Sequence, residues 1–343
     1  MEFDIDEIPT QLVLNSLPSD GNRMFVNFSQ SRFFLDTNTG ANANPLSMSL
    51  EITGPSGTMT LYPDSISRSN YFFPYTPQGG DSLTISITAG DKSVTSGTKI
   101  PRPLQISSCG TLLSWTLPRT GTNSESVLNL CIVSFNLSDY ANEENYYYIT
   151  VSERDSGSYY RERTQKFDTI DTLYHNVMFM CMDNSISGPD ALISNPLVVL
   201  PQGYTVFDRI ICSDKTLNGT TGQHSIIIPI LVDTNEVRGY KHELTLNIES
   251  IRPERVKYLL DVANSTGLTQ IFAEPAGVFS NVKVNGEQGL GLFSGISRLQ
   301  FPLNTEPWPY PENLQSSTNS AVAQQYSDAL HEFYHHVKQQ NRK

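Results

Sequence analysis

His331-Glu-Phe-Tyr-His335 is the stretch whose residue types and spacing most directly match a reaction. On a helix, two histidines four residues apart share one face, and the adjacent glutamate stands where it can activate a zinc-bound water. That chemistry would be a zinc-dependent hydrolase, with His331 and His335 as metal ligands and Glu332 as general base. Against it, His335 lies eight residues before the last residue, which leaves no folded scaffold downstream for a third ligand. A terminal helix also offers little of the cleft and outer hydrogen bonding that orient metal-bound histidines. A surface helix is therefore the plainer reading. No catalytic residue, cofactor or metal is assigned, and His331, Glu332 and His335 stay only as candidate metal ligands.

Other reactive arrangements are weaker still. The chain has no Gly-x-Ser-x-Gly, and His175, His224 and His242 fall in or beside strand-like runs, as core or surface histidines do. Gly289-Leu-Gly291 lacks the lysine and following helix of a phosphate loop, so it reads as tight packing. The carboxylates Glu143-Glu144 and Asp168 with Asp171 sit in polar segments and read as solvated, with calcium binding as the alternative. Cys109, Cys131, Cys181 and Cys212 form no Cys-x-x-Cys pair, which excludes a zinc ribbon. Their apolar neighbours favour buried thiols over disulfides. Tyr146-Tyr-Tyr148 and Tyr159-Tyr160 put aromatics on both sides of strands, either to bind a partner or to be packed.

Behind these residues stand 343 positions with 16 Tyr, 16 Phe, 22 Gly and 20 Pro, a composition of short strands and turns that suits two domains. A net charge of −12, from 23 Lys plus Arg against 35 Asp plus Glu, repels phosphate backbones and argues against nucleic acid as a partner. No run approaches the ~18 apolar residues of a membrane span. The acidic opening Met1-Glu-Phe-Asp-Ile-Asp-Glu-Ile8 is not a basic-then-apolar signal, and it resembles the start of an exported protein after signal removal.

Alternation at Leu12 and Leu14, Met24, Val26 and Phe28, Met48, Leu50 and Ile52, and Leu83, Ile85 and Ile87, separated by turn residues, predicts a β-sandwich over residues 1–103. Lys99-Ile-Pro-Arg-Pro103 ends it, since two prolines cannot serve an interior ladder. A larger β domain follows over 104–304, with a short helix near 252–263 that opens with Pro253 in its first turn. Pro229, inside Ser225-Ile-Ile-Ile-Pro-Ile-Leu-Val232, predicts an edge strand or bulge. Residues 305–343 read as a proline-rich linker and a C-terminal helix. The expected fold is thus mainly β, with two immunoglobulin-like sandwiches in tandem. The first would be a spacer or docking face, and the second would carry any ligand groove.

The most specific segment is Glu274-Pro275 through Gly289-Leu-Gly-Leu-Phe293, where an Asn-Gly pair and closely spaced glycines demand tight backbone between buried side chains. With Gln11-Leu-Val-Leu-Asn15, Phe25-Val-Asn-Phe-Ser-Gln-Ser-Arg32, Gly80-Asp-Ser-Leu-Thr-Ile-Ser-Ile87, Asn145-Tyr-Tyr-Tyr148, Ser213-Asp-Lys-Thr-Leu-Asn-Gly219 and Ile248-Glu-Ser-Ile251, taken in order, the chain resembles the Bacteroidetes lipoprotein family described as domain of unknown function 4249. The resemblance covers residues 10 to 300 or so and brings no catalytic residues. It implies a non-enzymatic protein at the outer membrane or cell surface, held by a lipidated cysteine that this chain lacks. Its expected role is accessory to a TonB-dependent transporter in binding or uptake of a nutrient, with a peptide, glycan or siderophore as ligand. The alternatives are the zinc hydrolase above and a structural adhesin without a small ligand. The helix from Ser320 departs from the usual family ending.

Overall fold

A computed structural model describes residues 10–31, 45–55, 57–118, 126–141, 143–161, 166–181, 191–193, 198–199, 205–215, 217, 219–233, 237–265 and 278–303. The linker and helix expected over 305–343, with His331, Glu332 and His335, lie outside the described residues.

The chain runs through β1 (Leu12–Ser16), β2 (Phe25–Gln30), β3 (Ser47–Gly54), β4 (Gly57–Leu61), β5 (Ser65–Ser67), β6 (Asn70–Phe72), β7 (Ser82–Ala89) and β8 (Lys92–Lys99). Next come β9 (Gln105–Pro118), β10 (Ser126–Ser138), β11 (Tyr146–Arg161), β12 (Lys166–Tyr174), β13 (Phe179–Cys181), β14 (Ala191–Ile193), β15 (Val198–Val199), β16 (Thr205–Phe207), β17 (Ile210–Ser213), β18 (Thr221–Asp233) and β19 (Val237–Ile251). A helix α1 (Pro253–Ser265) precedes β20 (Lys283–Val284), β21 (Glu287–Gln288), β22 (Leu290–Phe293) and β23 (Ile296–Pro302). The protein is mainly β, as its composition predicts.

Two compact units result: residues 1–103 with 249–298, and residues 104–248 with 299–343. The break after Pro103 coincides with the one expected from its prolines. The second break does not, because 249–298 joins the first unit, whereas the sequence pattern placed it in a continuous domain over 104–304. The cause is strand pairing. β22 adds in parallel to β1, Val13 opposite Leu290 and Asn15 opposite Leu292, and β20 pairs with β8, Val284 opposite Val94.

In the first unit the strand orders are β22-β1-β2-β6-β5 and β21-β20-β8-β7-β3-β4. Alternation does its expected work here. Met48, Leu50 and Ile52 lie opposite Ile87, Ile85 and Leu83, all buried, while the intervening Ser and Thr face away. They meet Leu14, Val26, Phe28 and Tyr71 of the other sheet in one core. Each such side chain contributes roughly 1.5–3 kcal/mol on burial. α1 begins at Pro253, where a missing N–H costs no helical bond, and carries Glu254 in its first turn, favourable to the helix dipole. Glu254 also accepts from the Thr98 hydroxyl at 2.7 Å, tying the helix to the end of β8.

The second unit is built the same way from β15-β16-β13-β18-β10-β9 and β14-β17-β11-β19-β23, with β12 on β11. Cys131, Val133, Phe135 and Leu137 of β10 alternate inward, meeting Tyr147, Ile149 and Val151 of β11 and Leu244, Leu246 and Ile248 of β19. β18, which carries Pro229, is an interior strand between β13 and β10, not an edge. Pro229 is tolerated because β13 begins only at Phe179: among the described residues it pairs with Ile226 and Ile227, and Pro229 lies beyond the start of that strand.

Candidate functional site

The reactive groups picked out by sequence are dispersed. His175 is exposed, His224 is fully buried with its ring 5.5 Å from that of Phe135, and the His242 side chain lies outside the described residues. Asp171 is exposed and takes two hydrogen bonds from Arg154, at 2.8 and 2.9 Å, which hold its carboxyl below the usual carboxylate range. The Asp168 side chain is not among the described ones. Cys131 and Cys212 are buried thiols and Cys181 a half-buried one, while the Cys109 side chain lies outside the description. Among the described residues no three His, Cys, Asp or Glu side chains converge as a metal site would require.

Tyr147 turns into the core, whereas Tyr146 and Tyr148 are half-buried on the opposite side of β11. The Tyr159 and Tyr160 side chains are not described. The Tyr147 hydroxyl donates to Asp139, whose carboxylate also accepts from Asn145 Nδ2 and the Gly219 N–H, both at 3.1 Å. Burial first, then that carboxylate, push the Tyr147 hydroxyl well above its ordinary pKa. A tyrosine held so firmly protonated is a structural clamp, because proton-transfer catalysis needs a pKa near working pH.

A different set of residues forms a recess. In the first unit, the turn from β1 to β2 and the start of β23 enclose a cleft of about 440 Å³. Its backbone frame is fixed: the Ile296 N–H donates to Pro18 O at 2.9 Å, and Ser19 bridges Ile296 in parallel. Leu17 and Phe25 are 41 % and 43 % exposed and give it an apolar flank. Arg23 and Arg298 supply its charge, with Asn22 and Ser19 as polar neighbours.

Both guanidiniums are held by neighbouring groups. Arg23 donates through Nε to Phe73 O at 3.1 Å and through Nη2 to Asp64, and it lies over the Phe72 ring with its carbon 5.7 Å from the centroid. Arg298 donates through Nε to Glu249 Oε1 at 2.6 Å, and Arg255 Nη1 stands 2.7 Å from the other oxygen. Glu249 and Arg255 are both buried, so two cations share one carboxylate. Asp64 and Glu249 pair with the arginines, and no carboxylate is among the residues lining the cleft.

A family model described as "Domain of unknown function (DUF4249)" matches residues 1–301. The chain belongs to the DUF4249 family. The match spans both units and every element from β1 to the body of β23. No curated protein matches this DUF4249 member. The motif that most specifically signalled the family is a packing device: Gly291 sits at φ +110°, and a Cβ there would lie 2.0 Å from Leu14 O. Gly289-Leu-Gly291 therefore brings β22 against β1, which is the close packing expected of it.

Sequence reasoning missed Arg23, Arg298, Asn22 and Ser19, and expected any groove in the second domain. The available signal was faint. In a chain with net charge −12, Arg23 and Arg298 each interrupt the edge of an apolar strand pattern, but only the parallel pairing of distant segments brings them together.

Proposed function

We propose that this DUF4249 member is a non-enzymatic binding protein of a bacterial cell surface, anchored in the outer membrane by a lipidated cysteine. Its role there is accessory to a TonB-dependent transporter in capturing or taking up a nutrient, and its two units are immunoglobulin-like sandwiches. The cleft of the first unit is the observation that supports binding. Its charged groups are arginines, which stay protonated at any physiological pH and so hold a ligand without exchanging protons with it. A docking face for the transporter is offered by the outer edges of β4 and β5, each last in its sheet, where Met59, Tyr62 and Ile66 are exposed.

Purification of the native lipidated protein from membranes tests the role, with a transporter expected to co-purify in stoichiometric amount. Its absence under conditions that preserve membrane complexes counts against the accessory role. The spacing of His331, Glu332 and His335 keeps one rival reading, a zinc hydrolase. Purified protein is expected to hold well under one zinc per chain, unchanged by His335→Ala. Stoichiometric zinc that is lost in that variant would replace the binding role with metal-dependent hydrolysis.

A further inference from the structure

We infer that the cleft between the β1–β2 turn and the start of β23 is a carboxylate site, taking a small ligand with one free carboxylate on an apolar body. The inference deepens the binding role proposed above and rests on it.

Three observations converge. The cleft is charged only by Arg23 and Arg298, with Ser19 and Asn22 beside them, in a protein whose net charge is −12. An anion entering elsewhere meets an unfavourable field; here it meets two planar donors suited to carboxylate oxygens. Next, both donors are oriented before any ligand arrives. Arg23 is fixed by Phe73 O, Asp64 and the Phe72 ring, and Arg298 by Glu249, so little side-chain freedom remains to be lost on binding. Glu249 is itself shared with buried Arg255, so it is not left to neutralise Arg298 alone. Finally, the apolar flank of Leu17 and Phe25 is too exposed to serve the core, yet it lies beside the guanidiniums, where the hydrophobic part of an amphipathic acid would rest.

Neither a phosphate nor a polyanionic glycan suits this arrangement as well, because half of the wall would then face a hydrated anion with apolar carbon. A peptide C-terminus and a short fatty acid share the required chemistry, and the test separates them. Calorimetric titration of the full chain at low salt would use three probes: a short apolar N-acetylated dipeptide acid, its C-terminal amide, and hexanoate.

The dipeptide acid is expected to bind at least ~10-fold more tightly than the amide, as loss of a charge-assisted pair implies. Arg23→Gln should reduce affinity for the acid by a similar factor, leave the amide unchanged and leave the melting temperature close to the original. Arg298→Lys, which keeps the charge but loses the planar fork, should also weaken the acid. Equal binding of hexanoate would assign a fatty-acid type of ligand, and binding of the dipeptide acid alone a peptide type. Indistinguishable acid and amide, or no binding of any of the three probes, would overturn the site. That failure is separable from failure of the cell-surface role, since a transporter could still co-purify with a protein whose cleft binds no carboxylate.

Discussion

Asp139 and Asp214 show how two carboxylates in one unit are used for architecture. Asp139 accepts from Tyr147, Asn145 and Gly219, so Tyr147→Phe removes one of its donors inside the core and should cost roughly 1–3 kcal/mol. Urea denaturation measures this, and a neutral result would mean that the hydroxyl does not clamp Asp139. Asp214 is only 5 % exposed; burial first, with help from the nearby Asp139 charge, raises its carboxyl above the ordinary 3.8, against the opposing N–H of Asn145. An acid whose folded pKa exceeds its unfolded value stabilises the fold fully below the unfolded value and loses that contribution as pH rises through the folded one. Asp214→Asn keeps an oxygen for the Asn145 N–H, which Asp214 accepts at 2.8 Å, but cannot ionise. The variant should therefore gain stability relative to the original protein as pH rises from the ordinary 3.8 across the acid range toward neutrality. A stability difference that stays constant across that range would contradict the assignment.

At the scale of elements, two glycines of one segment are fixed for different reasons. Asn285 and Gly286, at φ 51° and 87°, form the turn of the β20–β21 hairpin, and Asn285 exchanges two 2.7 Å hydrogen bonds with Ser93 of β8. A Cβ on Gly286 meets nothing within 4 Å, so Gly286→Ala pays only for left-handed backbone, about 1–2 kcal/mol. Gly291→Ala adds a collision with the Leu14 backbone, which cannot move without breaking the β1–β22 pairing, and should cost upwards of ~3 kcal/mol. Equal denaturation midpoints for the two variants would show that the close approach carries no energetic weight. Much of this was legible beforehand. The Asn-Gly turn, the alternating β3 and β7, and a helix opening at Pro253 all follow from local rules, since period, turn chemistry and capping are written in neighbouring residues. What local rules could not supply was the partner of each strand. Nothing near Leu12 announces a parallel neighbour at Leu290, and nothing near Pro229 announces that β13 begins too late to reach it. The cleft inherits that blindness, because Arg23 and Arg298 become neighbours only through such pairing.

For the whole molecule, the discontinuous first unit leads to a sharp expectation about where the chain can be cut. Residues 1–103 contain an apparently complete alternating pattern, yet their core also contains Val282 and Phe293, contributed from the far side of the second unit in sequence. Those two side chains account for about 3–6 kcal/mol of burial, a large share of a typical domain stability of about 5–15 kcal/mol. Removing them also strips β22 from β1 and β20 from β8, leaving two sheet edges without the partners that cover them. A fragment of residues 1–103 should therefore show no cooperative unfolding transition, whereas the same fragment joined by a flexible linker to residues 249–298 should regain one. Circular dichroism during urea titration distinguishes the two. Cooperative unfolding of residues 1–103 alone would mean that the first unit is self-sufficient and that the returning segment only decorates it. The carboxylate cleft sharpens the contrast, since Arg298 and Ile296 belong to that segment: only the joined fragment can be expected to bind the dipeptide acid.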